Sequence, residues 1–235
     1  MAALSLGALG ARSSATARSA AGTGISLIAD PADSVARSQP AVFAIEQLLS
    51  AITRRNIPVR RFESAEQAPS SDLHIVAAGA GSSVAAETLR KAGISIPNSP
   101  ECLGLLPSVS DRRNFLLACG RDARGLMYAL LELADRVDHA ADPLRALQVE
   151  HAVVEQPFNE VRSIGRLFSS DIEDKPWFND REMWREYFAM LATQRFNRLH
   201  LAFGIGHDFL THVKDAYFSL PIRSLFLRRD TACAW

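Results

Sequence analysis

Apolar positions along this chain fall into two periods, one of strands and one of helices. Ile25-Ser-Leu-Ile-Ala29 is a short apolar run cut off by Asp30-Pro31, which predicts a strand and a breaker. From Ala41 to Arg55, Phe43, Ile45, Leu48, Leu49 and Ile52 recur at helical spacing, and Pro40 suits the first turn. Val59-Arg-Arg-Phe62 and Leu73-His-Ile-Val-Ala77 predict strands, and Val84 to Lys91 predicts a short helix stopped by Gly93. Leu103-Gly-Leu-Leu106 and Asn114-Phe-Leu-Leu-Ala118 predict two antiparallel strands joined by residues 107–112. Between Gly120 and Arg136, Met127, Leu130, Leu131 and Ala134 share one apolar face with Val137, the mark of an amphipathic helix. Ala146 to Val154 predicts a further strand, and Gln156-Pro-Phe-Asn159 an inter-domain joint stiffened by Pro157.

The order then changes to strand, helix, strand. Val161-Arg-Ser-Ile-Gly-Arg-Leu-Phe-Ser-Ser170 predicts a strand with an arginine at its start. Asn179 with Glu182 three residues on is a capping-box pattern, and Met183, Trp184, Tyr187, Phe188 and Leu191 give the helix a wide apolar face. Gln194 to Asn197 turn into the strand Arg198-Leu-His-Leu-Ala-Phe203, which runs on to a glycine-rich loop bearing His207 and Asp208. A (β/α)8 barrel begins this way. The expected fold class is therefore α/β. A small α+β domain with a mixed sheet and two main helices (24–156) precedes the first strands of an incomplete barrel (160–217). Residues 1–23 read as a leader, and residues 218–235 as a truncated or out-of-frame tail without periodicity.

Composition narrows the classes. With 48% hydrophobic and 22% charged residues the chain is globular, not disordered. Lys plus Arg equals Asp plus Glu at 26 each, without a basic run, which argues against nucleic acid as the partner. No apolar stretch reaches the ~20 residues of a membrane span. The small apolar run from Met1 to Ala11, followed by Ala15-Thr-Ala17, resembles the apolar part and cleavage site of a secretory signal. That predicts a secreted or periplasmic protein; the alternative is an Ala/Ser leader. Cys102, Cys119 and Cys233 make no disulfide scaffold. The first two either face each other across the predicted hairpin or are buried as small hydrophobes.

Three stretches resemble a known group of enzymes. Gly120-Arg-Asp-Ala-Arg-Gly-Leu-Met-Tyr-Ala-Leu-Leu-Glu-Leu133 resembles the helix closing the small amino-terminal domain of family 20 and family 67 glycoside hydrolases. Those are β-N-acetylhexosaminidases and α-glucuronidases. Val161-Arg-Ser-Ile-Gly-Arg-Leu-Phe168 resembles their first barrel strand, and Met190-Leu-Ala-Thr-Gln-Arg-Phe-Asn-Arg-Leu-His200 their passage into the second. The resemblance covers most of residues 25–215. It implies a carbohydrate-active exo-hydrolase acting without a cofactor. The residues given would be its amino-terminal fragment, inactive as they stand because the family's Asp-Glu catalytic pair sits near the fourth strand. No catalytic residue is therefore assigned. The resemblance also implies a sugar-binding role for Arg162 and a place for His200 on the second strand. Where the family has a histidine and paired aspartates after that strand, this chain has Ala202-Phe-Gly-Ile-Gly-His-Asp208, which points to a divergent relative nearer the glucuronidases. The rival class is a non-catalytic carbohydrate-binding or structural module.

Each candidate has an ordinary alternative. Arg162 either forks onto vicinal sugar hydroxyls or is a salt-bridged arginine at a strand start. His200, on a mostly apolar strand, is a pocket wall in preference to a catalyst. Asp208 either binds a hydroxyl or caps the next helix. Trp177 and Phe178 stack on sugar faces or anchor the start of a helix. Asp171, Glu173 and Asp174 are rejected as an acid/base pair, because neighbours on one loop seldom converge across a substrate. His200, His207 and His212 lack metal spacing. Ala78-Gly-Ala-Gly81, between a strand and a helix, is read as a tight turn ahead of a dinucleotide site, since no acidic residue follows at the fingerprint's distance.

Overall fold

The computed structural model describes residues 24–107, 115–168 and 171–203. A six-stranded sheet comes first, built from β1 (Ile25–Ile28), β2 (Val59–Phe62), β3 (Leu73–Gly79), β4 (Leu103–Pro107), β5 (Phe115–Gly120) and β6 (Val153–Glu155). Their order across the sheet is β2-β1-β3-β5-β4-β6. The first four in that order are parallel, and β4 runs antiparallel to both β5 and β6. The central strands β1 and β3 are buried along their whole length, as the near-continuous apolar runs of parallel sheets require. The edges are poor templates for a further strand: β2 presents Arg60 and Arg61, and β6 has three residues.

Helices α1 (Gln39–Arg54) and α3 (Ala123–His139) cover one face of this sheet, meeting Ile25, Leu27, Ile75, Leu105 and Leu116 in one core. Helix α2 (Ser83–Ala92) covers the other face over Ile28, Val76, Leu106, Leu117 and Cys119. Gly93 ends α2 in the left-handed conformation, φ 66°, as its place in the sequence predicts. Cys102 and Cys119 are both buried and free.

The helix α3 sits unusually close to the strands, and two glycines allow it. A Cβ on Gly120 would lie 1.9 Å from the Leu126 nitrogen, and one on Gly125 would lie 2.2 Å from the Cys102 carbonyl oxygen. Asp122 caps the helix, its carboxylate accepting from the Gly125 N–H at 2.8 Å. The turn after β3 is closed differently. Asp33 accepts the Gly79 N–H at 2.6 Å while its other oxygen holds the Val35 N–H at 2.8 Å. A carboxylate of the chain itself thus holds the end of β3, while Ser82 caps α2 with its side chain accepting from the Ala85 N–H at 3.3 Å.

The second sheet pairs β7 (Ser163–Phe168) with β8 (Arg198–Phe203) in parallel, from Ser163 opposite Arg198 to Phe168 opposite Phe203. Between them run α5 (Asp171–Phe178) and α6 (Arg181–Thr193). Parallel strands bridged by helices are the repeating unit of a barrel.

Three expectations need correction. The strand expected over 146–154 is shorter, because Asp142 and Pro143 start a brief helix α4 (Pro143–Ala146) and only Val153–Glu155 pairs. The stretch Asp171–Phe178, expected as a loop, is helical with Pro176 inside it. The cap of α6 is Asp180 in place of Asn179; its Oδ1 accepts the Glu182 and Met183 N–H groups at 2.9 and 3.1 Å.

Candidate functional site

Residues alternate sharply along the second sheet. Ile164, Arg166, Leu199 and Leu201 are half-buried on one side; Ser163, Gly165, Arg198 and His200 are exposed on the other. The half-buried side faces the helices, where the Arg166 guanidinium lies 3.8 Å from the Trp177 ring centre and 5.3 Å from that of Tyr187. The exposed side is the one that points into the interior when such a sheet closes. His200 is on that side, level with Gly165 across the strand pair.

Trp177 belongs to an aromatic cluster. Its ring meets Phe178 and Trp184 edge-on at 6.4 and 5.6 Å, and its Nε1 donates to Asp174 at 3.0 Å. Trp184 in turn stacks on Phe188 at 5.5 Å. One ring face lies under Arg166, and the edge contacts tie Trp177 to the helix, the arrangement weighed against sugar stacking.

Arg162 precedes β7, at the end of the sheet opposite the carboxyl-terminal mouth where barrel enzymes bind substrate. Its Nε donates to the Arg195 carbonyl at 2.6 Å and its Nη1 to the Asn159 carbonyl at 2.9 Å. Its Nη2 is paired with the Glu101 carboxylate and also reaches the Tyr128 hydroxyl at 3.5 Å. The guanidinium stands 5.8 Å over the Tyr128 ring. Burial, followed by the negative charge of Glu101, pushes the Tyr128 hydroxyl above its ordinary pKa, while Arg162 opposes the shift. The fork expected to grip a sugar is thus occupied by the protein, in the salt-bridged arrangement weighed against it.

Two residues that sequence reasoning passed over complete this junction. Glu101, with a side chain 4% exposed, also pairs with Arg124 at 2.9 Å and accepts from Asn197 at 3.2 and 3.3 Å. Asn197 accepts the Arg162 N–H at 2.9 Å and donates to the Glu160 carbonyl at 2.8 Å, locking the starts of β7 and β8 together. A polar cleft beside it is lined by Glu132, Asp135, Thr193, Gln194 and Arg195. Asp208, His207 and His212 lie outside the described residues. Among the described residues no His, Cys, Asp or Glu cluster could hold a metal ion, and no helix is long and apolar enough to cross a membrane.

No family model matches the chain, and no curated protein matches it. Solved structures do. A family GH138 enzyme targeting pectin rhamnogalacturonan II is similar over 76% of this chain and 24% of its own, at 18% identity and a TM-score of 0.53. A family GH115 4-O-methyl-α-glucuronidase with specificity for decorated arabinogalactans is similar over 76% of this chain and 25% of its own, at 16% identity and a TM-score of 0.52. Both are glycoside hydrolases, and the likeness gives this chain a glycoside-hydrolase-like fold. The chain spans about a quarter of the length of those enzymes.

Proposed function

We propose that this chain is the amino-terminal part of a carbohydrate-active exo-glycoside hydrolase. Residues 24–156 form its supporting domain, and residues 160–217 open its catalytic barrel. One observation carries the reading. A strand–helix–strand unit, covered on one face and exposed on the other at Ser163, Gly165, Arg198 and His200, follows directly on a mixed sheet, and the whole resembles hydrolases of that build. In an eight-stranded barrel the remaining strands extend this sheet until it closes, and their inward side chains cover that exposed face.

The substrate side of the proposal rests on His200 as a pocket wall and Asp208 as a hydroxyl ligand. Arg162 and Trp177 support the strand and the helix instead. A glucuronide is favoured over a hexosaminide, since the family GH115 neighbour is an α-glucuronidase and the loop after β8 departs from the hexosaminidase pattern. Hydrolysis needs two carboxyl groups flanking one bond about 5 Å or more apart. Asp171, Glu173 and Asp174 are near neighbours in sequence, so the proposal places that pair on later strands, as the resemblance implies. Export, read from residues 1–23, belongs to the same proposal.

The test compares this chain with a longer form that continues into the remaining strands, on aryl α-glucuronides and aryl β-N-acetylhexosaminides. Turnover by the longer form alone is expected. Turnover by the short chain, lost on Glu173→Gln, would overturn the placement of the acid/base pair. Saccharide binding by the longer form without hydrolysis would favour the non-catalytic module.

A further inference from the structure

Glu101 adopts a left-handed backbone, φ 62°, although it carries a full side chain. That conformation is unfavourable for an L-residue, and glycine takes it freely. The backbone is held there by its own N–H, which donates to Asp122 Oδ2 at 3.0 Å, the carboxylate that caps α3. What the glutamate supplies in return is a buried carboxylate reaching across a seam. Arg124 approaches it from α3, and Arg162 and Asn197 approach it from the starts of β7 and β8. Arg195 mirrors this arrangement from the other side. It too is left-handed, φ 62°, and its guanidinium bridges Glu132 of α3, at 3.0 Å, and Glu155 of β6. On each side of the seam a residue in an unfavourable backbone state sends its side chain to the opposite unit.

We propose that Glu101 and Arg195 form a two-sided clasp, by which the six-stranded unit acts as a base plate ordering the β7–α6–β8 unit. The two-stranded sheet has no further strand to brace it among the described residues. Its strand starts are fixed by the clasp, through the Asn197 N–H to Arg162 carbonyl bond at 2.9 Å and the Arg162 Nε to Arg195 carbonyl bond. The clasp lies at the amino-terminal ends of the strands, so its role is independent of the sugar chemistry proposed for the opposite end.

Glu101→Gly separates this idea from its rival by sign. If the side chain is idle, glycine relieves the backbone and the chain exchanges amide hydrogens no faster anywhere. If the clasp orders the second unit, Glu101→Gly and Glu101→Gln speed exchange in residues 163–203 by at least about tenfold, while β1, β3 and α1 keep their protection. Removing one partner of a buried pair costs enough to exceed that factor. The measurement is peptide-resolved hydrogen exchange on the full chain. Unchanged exchange in residues 163–203 in both variants, or an equal rise in both units, overturns the proposal.

Discussion

Among the described glycines, Gly120 leaves the least room for a methyl group. The new Cβ would stand 1.9 Å from the Leu126 nitrogen and 2.5 and 2.6 Å from the Gly125 carbon and Leu126 Cα. All three are backbone atoms, so no side chain can swing aside. Ordinary contact requires the first turn of α3 to retreat by more than an ångström. That turn holds Leu126, Met127 and Tyr128 in the core, and its cap depends on the 2.8 Å bond from Gly125 to Asp122. Overpacking costs roughly 1–3 kcal/mol and a lost cap about 1 kcal/mol more, so Gly120→Ala should destabilise by about 2–4 kcal/mol. For a chain of this length that corresponds to a fall in Tm of about 10 °C. Two glycines serve as controls. Gly93 is left-handed with open space around it, so alanine there should cost about 1 kcal/mol. Gly81 has open space and no unusual φ, so alanine should be neutral within about 0.5 kcal/mol or slightly stabilising. Urea unfolding followed by far-UV circular dichroism ranks the three. A loss under about 1 kcal/mol for Gly120→Ala, or a larger loss at Gly81, would refute the close-approach argument.

Other outcomes follow from single groups. Burial pushes the Cys119 thiol up to about 12, so native protein should resist alkylation at that site at pH 8 and react there only after unfolding, as peptide mass spectrometry would read. The same group gives a pH dependence. The unfolded thiol loses its proton near pH 9 while the folded one keeps it. The thiol's contribution should therefore fall by about 1.4 kcal/mol per pH unit between 9 and 12, and Cys119→Ala should flatten the slope of urea titrations across pH 8–11, leaving the part owed to the raised Tyr128 hydroxyl. Asp33→Ala strips acceptors from the Gly79, Val35 and Ala36 N–H groups and should cost about 2–3 kcal/mol. Asp33→Asn, which keeps one acceptor oxygen, should recover part of that loss in the same melts.

What could be read in advance was whatever is local. The periodicity of Phe43 to Ile52 and of Met127 to Val137 found α1 and α3, because one apolar face per helix leaves its mark within a few turns. The run from Leu73 to Ala77 found the central strand β3 for the same reason. Helix α5 was missed because Pro176 and its charged first turn obscure any period. The α6 cap was displaced by one residue because Asn179 and Asp180 are both good caps and only geometry chooses between them. At the candidate site, the alternation that exposes His200 is a strand property visible in Arg198 to Phe203. The junction was not visible. Glu101 and Arg162 are 61 positions apart, and no glycine or asparagine marks Glu101 as left-handed. A resemblance can align an arginine at a strand start, but the choice between a sugar and a carboxylate lies in residues brought from the far side of the fold.

The seat filled by Asp33 has a wider consequence. Many α/β proteins leave the carboxyl ends of their parallel strands unsatisfied and recruit a cofactor or metabolite to neutralise the exposed amides there. In those proteins the order of that edge rises and falls with the concentration of a small molecule. Here the group that accepts the Gly79 amide at the end of β3 is part of the chain, so its effective concentration is set by the fold and not by the solution. The last amide of β3 is therefore satisfied from within the chain. That bond depends on no dissolved molecule, which suits a platform.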